Sequence, residues 1–144
     1  PEKNITRAEF AQATNKAFEF TKTGEKRFAD VSGNAWYYNA MNIALEAGYF
    51  QGDEYGNGNP EKAITRAEAA TAFARIIKVN ADGSSTAFSD DASIPSWAKP
   101  YIKALADKGV INGYTDGTYK PYNNIQLPRL HIQRFPQKGL LKNI

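Results

Sequence analysis

Apolar residues recur along this chain at helical spacing, and the stretches that carry them occur in pairs. In 65–78, Ala69, Phe73, Ile76 and Ile77 fall at i, i+4, i+7 and i+8, the stripe of an amphipathic helix. Thr65 and Glu68 open it as a capping box: the threonine hydroxyl accepts from the third helical amide, and the glutamate reaches back to the amide of Thr65. Ile64 precedes the cap and can staple onto the helix. The stretch 6–20 carries the same signals in Thr6, Glu9, Phe10, Thr14, Ala17 and Phe18. Two more stripes predict helices over 36–47 and 96–108. One is Trp36, Ala40, Ile43, Ala44 and Ala47; the other is Trp97, Tyr101, Ala104 and Leu105, with Ala98 and Ile102 beside it. Each stops at a glycine, Gly48 or Gly109, as a helix C-cap does. Asp116-Gly117 marks a tight turn within 113–119, and 80–86 reads as a linker. The expected fold class is all-α.

The pairing is a true internal repeat. Ile5-Thr6-Arg7-Ala8-Glu9 returns as Ile64-Thr65-Arg66-Ala67-Glu68, 59 residues on. Phe28-Ala29-Asp30 returns as Phe88-Ser89-Asp90. Trp36 returns as Trp97, Gly48 as Gly109, Gly52 as Gly113, Pro60 as Pro121 and Ile64 as Ile125, each 61 residues on. One unit therefore runs Phe-x-Asp, Trp-led helix, glycine loop, capped helix. The chain divides as 1–27, the second half of one copy; 28–87, a complete copy with its linker; 88–125, the first half of a third; and 126–144, a divergent basic tail. Gln126-Leu127-Pro128-Arg129 stands where Thr-Arg-Ala-Glu is due. A single helix–loop–helix unit has too little apolar surface to stand alone, so the units are expected to pool their stripes in one core.

Charge misleads until it is located. The sequence isoelectric point of about 9.1 suggests a nucleic-acid partner. Yet four of the 18 basic residues, Arg129, Arg134, Lys138 and Lys142, lie in the acid-free tail, leaving 14 against 15 acids in 1–125. The body is near neutral, and no nucleic-acid partner is expected. No apolar run approaches the ~18 residues of a membrane span, so no membrane insertion is expected. The opening Pro-Glu-Lys-Asn-Ile lacks the charged-then-apolar pattern of a secretion signal; the expectation is a chain that starts inside a larger protein or has lost its signal. The absence of cysteine argues against a mammalian-type, disulfide-stapled secreted scaffold and does not exclude the outside of a Gram-positive bacterium, where a packed domain can do without disulfides.

No catalytic, metal or cofactor chemistry is expected. The sole histidine, His131, lies in the tail. The segment from Asp53 resembles a calcium loop only until Tyr55 and Ile64 fall on its third and twelfth positions. The glycine stretches lack the Gly-Lys-Ser/Thr of a phosphate loop. What stands out is Arg7 and Arg66, cations at the first helical position, where the macrodipole disfavours them. With free amides at the helix start, each would make an anion site; the alternative is an internal ion pair, such as Arg66 with Asp30 or Asp90. Trp36 and Trp97 are either core or flat faces for a sugar ring. Asp30 and Asp90 either accept from sugar hydroxyls or cap turns. Gly52 and Gly113 serve backbone geometry, or the close approach of a ligand. Tyr49, Tyr55, Tyr114 and Tyr119 cluster in sequence around these loops.

Phe-x-Asp, a Trp before a helix, Gly113-Tyr114-Thr115-Asp116-Gly117-Thr118-Tyr119-Lys120-Pro121 and above all Ile-Thr-Arg-Ala-Glu resemble the S-layer homology (SLH) family over roughly 4–125. The resemblance implies three tandem motifs in a pseudo-threefold helical bundle. It implies inter-motif grooves that bind a peptidoglycan-linked acidic wall polysaccharide, often bearing pyruvate ketals on N-acetylmannosamine. By position it assigns Arg7 and Arg66 to the acidic group, and Asp30, Asp90, Trp36, Trp97, Gly52 and Gly113 to the groove. It implies an extracellular place in the cell wall or S-layer. The alternatives are a self-assembly module of a surface layer and the anchoring fragment of a wall-bound enzyme. The third copy departs from the pattern, so its anion site is expected to be absent unless Arg129 substitutes. The tail reads as a frameshift, a junction or an extension that packs differently. The half-copies would be completed by self-association with a neighbouring chain.

Overall fold

The computed structural model describes residues 2–83, 85–128 and 144. In chain order the elements are β1 (Glu2–Asn4), α1 (Arg7–Phe18), α2 (Tyr38–Ala47), α3 (Arg66–Ile77), a 3-10 turn (Asp91–Ser93), α4 (Lys99–Asp107) and β2 (Gln126–Pro128). The fold is mainly helical, as the periodicity predicts. Both capping boxes form: Thr6 and Thr65 accept from the amides of Glu9 and Glu68, whose side chains return to the threonine amides. Gly48 closes α2 at φ 85°, a left-handed conformation that glycine adopts without a Cβ penalty. No helix among the described residues is long and apolar enough to cross a membrane.

The repeats are joined at their isoleucines by a closed ring of backbone hydrogen bonds. The amide of Ile5 donates to the carbonyl of Ile125, that of Ile125 to Ile64, and that of Ile64 to Ile5, each at 3.0 Å. All three isoleucine side chains are buried. Around the ring the same antiparallel pairing occurs three times, as the bridges Thr6 to Ala63 and Thr65 to Asn124 and as the β1–β2 ladder, where Asn4 faces Gln126. Three matching contacts that return to their starting point make an approximate threefold arrangement. Ile125 completes the ring although the residues after it break the repeat. The little β1–β2 sheet was not foreseen: its two strands have three residues each and come from opposite ends of the chain.

The core is rich in alanine. Ala8, Ala11, Ala67, Ala70 and Ala74 are buried, so α1 packs closely on α2 and α3 on α4, with Phe10, Met41, Phe50 and Phe73 filling the space between.

The core faces of α2 and α4 match the expected stripes in part. Met41 and Ala44 are buried in the second repeat with Tyr37, Ala40 and Leu45 partly buried beside them, and Ala98, Ile102 and Leu105 in the third with Tyr101 and Ala106 partly buried. Ala44, Leu105, Ala98 and Ile102 are residues the pattern points to; Met41 is not. The tryptophans, which head both expected stripes, stay out of the core. Trp36 is 60% exposed and Trp97 51%.

Candidate functional site

Each capped helix is docked by its first turn onto the glycine loop of the following repeat. The amides of Arg7 and Ala8 donate to the carbonyls of Lys62 and Pro60, and those of Arg66 and Ala67 to Asn123 and Pro121. The third amide of each helix goes to the capping threonine. The first three amides of both helices are thus taken by the protein, and the expected supply of free amides at the helix starts is absent. Anion recognition at either arginine has to rest on the guanidinium itself. The reason is topological: each glycine loop lies back across the start of the capped helix of the repeat before it, a contact invisible along the sequence.

Asp30 and Asp90 position these loops. One carboxylate oxygen of Asp30 accepts from the amide of Gly58 and the other from Asn59, both at 2.8 Å; Asp90 clamps Tyr119 and Lys120 in the same way at 2.9 Å. Asn59 and Lys120 are left-handed, at φ 49° and 56°, conformations costly for non-glycine residues and held here by the clamp. The clamp aims the carbonyls of Gly58 and Tyr119, which accept from Nε of Arg7 at 2.8 Å and of Arg66 at 2.9 Å. Both aspartates therefore act on the arginines through a loop, in the turn-holding role that was one of the two readings. Gly113 is needed by packing: a Cβ there would lie 2.5 Å from the Phe88 ring and 2.6 Å from the Thr118 carbonyl oxygen. At Gly52 the close neighbour is the backbone of Gly56, 3.1 Å from an added Cβ.

The two arginines are both buried, at 8% exposure, but their company differs. Arg7 donates from Nη1 to Oε2 of Glu68 at 2.9 Å and lies 4.3 Å from the Phe50 ring centroid. The pair spans two repeats, and the same glutamate caps α3 through its other oxygen. Burial lowers the Arg7 pKa, opposed by Glu68 and Asp30, while the nearby Arg75 lowers it further. Arg66 instead donates to the carbonyls of Tyr119 and Asn112 and sits over the rings of Tyr119 and Tyr114, at 4.4 and 4.8 Å. Among the described residues it has no carboxylate partner. The suggested pairing of Arg66 with Asp30 or Asp90 is not found, since both aspartates hold backbone amides.

A cleft of about 400 Å³ opens beside Arg7. The first repeat supplies Arg7 to it, and the second supplies Gly52, Asp53, Asn57 and Asn59 from its loop and Glu68, Thr71 and Arg75 from α3. The third supplies Trp97. Asp53 holds its own loop by accepting from the amides of Tyr55 and Asn57, and chiefly the Asn57 bond keeps its pKa below the ordinary value. Of the expected residues, Arg7, Gly52 and Trp97 line this cleft. Arg66 lies outside this cleft, packed against Asn112, Tyr114 and Tyr119 of the third repeat, and Trp36 stands apart with its edge against Tyr37. The rings of Tyr49 and Tyr119 are fully buried; Tyr49 borders the cleft, where its carbonyl accepts from Arg75, while its hydroxyl donates to Asn15 at 2.7 Å. Burial raises both phenol pKa values. Sequence reasoning missed Glu68 and Arg75 as cleft residues. Their spacing with Thr71 along α3, i, i+3 and i+7, was the available signal that they share a face. Arg129, matched in position to Glu68, lies outside the described residues, as do His131 and nearly all of the tail.

The model of the S-layer homology domain matches residues 27–70 and 87–125. The chain is 35% identical over 113 residues to a surface-layer 125 kDa protein of Lysinibacillus sphaericus, covering 78% of this chain and 10% of that one. It is 34% identical over 132 residues to an amylopullulanase of Thermoanaerobacterium thermosulfurigenes, covering 86% of this chain and 7% of that one. It is 32% identical over 136 residues to a cellulosome-anchoring protein of Acetivibrio thermocellus, covering 88% and 30%. The chain thus spans a tenth or less of the first two relatives and under a third of the other. With two matched repeats and the capped arginine motif at the head of two helices, the chain belongs to the S-layer homology domain family, modules of the extracellular bacterial wall and surface layer.

Proposed function

We propose that this module anchors a surface protein to the cell wall, without catalysis, by binding an acidic and pyruvylated polysaccharide. The observation that carries the reading is the cleft that brings Arg7, Gly52 and Trp97 together from three repeats. A half-exposed indole offers an apolar face and an N–H to a sugar ring. Asn57 and Asn59 offer amide groups for hydroxyls, and the guanidiniums suit a carboxylate. Arg66, buried without a carboxylate partner among the described residues, adds a second place for an acidic group, because a buried cation gains from a counter-charge. The breadth of the relatives fits an anchor: one name denotes a surface layer, one an anchoring protein and one an enzyme. The amylopullulanase favours, as a second reading, an anchor carried by a wall-bound enzyme.

The test is co-sedimentation with purified sacculi, before and after the acidic polymer is stripped. Binding is expected to the intact wall, to vanish on stripping, and to fall at least tenfold in the Arg7→Ala, Arg66→Ala double variant. Undiminished binding by that folded variant would remove the arginines from the mechanism.

A further inference from the structure

The cleft beside Arg7 contains a cation that no sequence motif marks. Arg75 lies on the last turn of α3 and lines the cleft with Arg7, Glu68 and Trp97. Its Nη1 donates to the carbonyl of Tyr49 at 3.2 Å, and its guanidinium lies 5.9 Å from the Tyr101 ring centroid. It is half-buried and has no carboxylate partner among the described residues. Arg75 also borders a second cleft with Glu19 and Glu46, but the Glu46 carboxylate faces Lys22 at 3.7 Å. Arg7, by contrast, already shares its charge with Glu68.

Two like charges thus border one cleft, and only one of them is neutralised from within the protein. Their mutual repulsion is felt at Arg7, whose proton affinity Arg75 reduces. An anionic ligand relieves that repulsion and supplies the counter-charge that Arg75, bonded to a carbonyl, does not find among the described residues. The geometry points to Arg75 as the residue that binds the acidic group of a saccharide in this cleft, with Trp97 beneath the sugar ring and Arg7 held in reserve by Glu68. This rests on the proposed acidic-glycan reading and names the residue that confers acid specificity in this cleft. The role is peculiar to the second repeat. The matching residue 59 positions earlier is Lys16, which is exposed to solvent.

The experiment uses a glycoside bearing a pyruvate ketal and its methyl ester, titrated against the full chain. A Trp36→Phe background leaves Trp97 as the sole indole, so its emission reports occupancy of this cleft. Arg75→Gln is expected to weaken binding of the acid about tenfold, the loss of one charge-assisted hydrogen bond, and to leave the ester unchanged. Arg75→Lys is expected to recover most of the difference. If Arg75→Gln binds the acid as tightly as the parent chain while the parent still prefers acid to ester, the assignment of Arg75 is wrong and the acidic-glycan reading stands. If the parent binds acid and ester alike, the acidic reading itself fails, and Arg75 with it. Binding without a change in Trp97 emission overturns the placement in this cleft.

Discussion

Arg7 and Arg66 hold the same position in successive repeats and are held by the same backbone device, yet they present opposite electrostatic situations. Each is buried to the same degree, and each gives Nε to a carbonyl fixed by an aspartate clamp. The facing repeat differs in sequence between the two sites at three matched positions. Gly58 beside Arg7 is matched by Tyr119 beside Arg66, Asp53 by Tyr114, and Glu68 by Arg129, each 61 residues on. Around Arg7 the facing repeat supplies carboxylates. Around Arg66 it supplies aromatic rings, which favour a cation without cancelling its charge. The comparison shows that a motif fixes where its guanidinium stands, while the neighbouring repeat sets what that charge is free to do.

Removing Glu68 is the most direct way to break this contrast. Glu68→Ala deletes the partner of a mostly buried cation and one arm of a capping box, an expected loss of about 3 kcal/mol. In a chain of this size that lowers Tm by roughly 8 °C. Glu9→Ala removes the same capping arm from α1, but its ion pair is with the exposed Lys3, so about 1 kcal/mol is expected. Equal losses in thermal unfolding would mean that the Arg7–Glu68 pair contributes nothing special.

Single replacements at the two arginines sharpen the functional side. Arg66→Met is expected to cost about 2 kcal/mol of acidic-glycan affinity, since its charge has no carboxylate partner among the described residues. Arg7→Met is expected to cost less than half of that in calorimetry. The reverse order would show that Glu68 yields its arginine readily to the ligand.

A smaller effect concerns Tyr119, for which the first site has only Gly58. Burial raises its pKa above that of an unfolded tyrosine. Its contribution to stability is therefore complete below about pH 10 and is lost as the pH climbs from there toward the folded value, at about 1.4 kcal/mol per pH unit. Tyr119→Phe should flatten the alkaline limb of the stability profile between pH 10 and 11, measured by denaturant unfolding. An unchanged profile would assign that limb to Tyr49, whose pKa burial also raises.

Much of the architecture could be read in advance because it is written locally. Thr-x-x-Glu, the apolar spacing after it and the glycines at 48 and 109 involve residues within a turn or two of one another. The site was readable only in part. Arg7 and Arg66 attract notice because they break a local rule, and Trp36 and Trp97 because of their size. Trp97 and Arg7, however, share a cleft only because three repeats meet around the isoleucine ring. The α2 and α4 stripes fail at the tryptophans: their size counts as apolar in the sequence, yet Met41 in one helix and Ala98 with Ile102 in the other take the core positions and leave the indoles exposed.

The sequence by itself determined the repeat and the capped helices, because propensity, capping and periodicity act over a few residues. The tertiary structure alone decided that the helix-start amides are consumed, that the aspartates clamp loops, and that Arg7 is paired with a carboxylate while Arg66, among the described residues, is not. Those outcomes depend on which repeat lies against which, and hydrogen bonds and charges respond to distance in space whatever the separation along the chain.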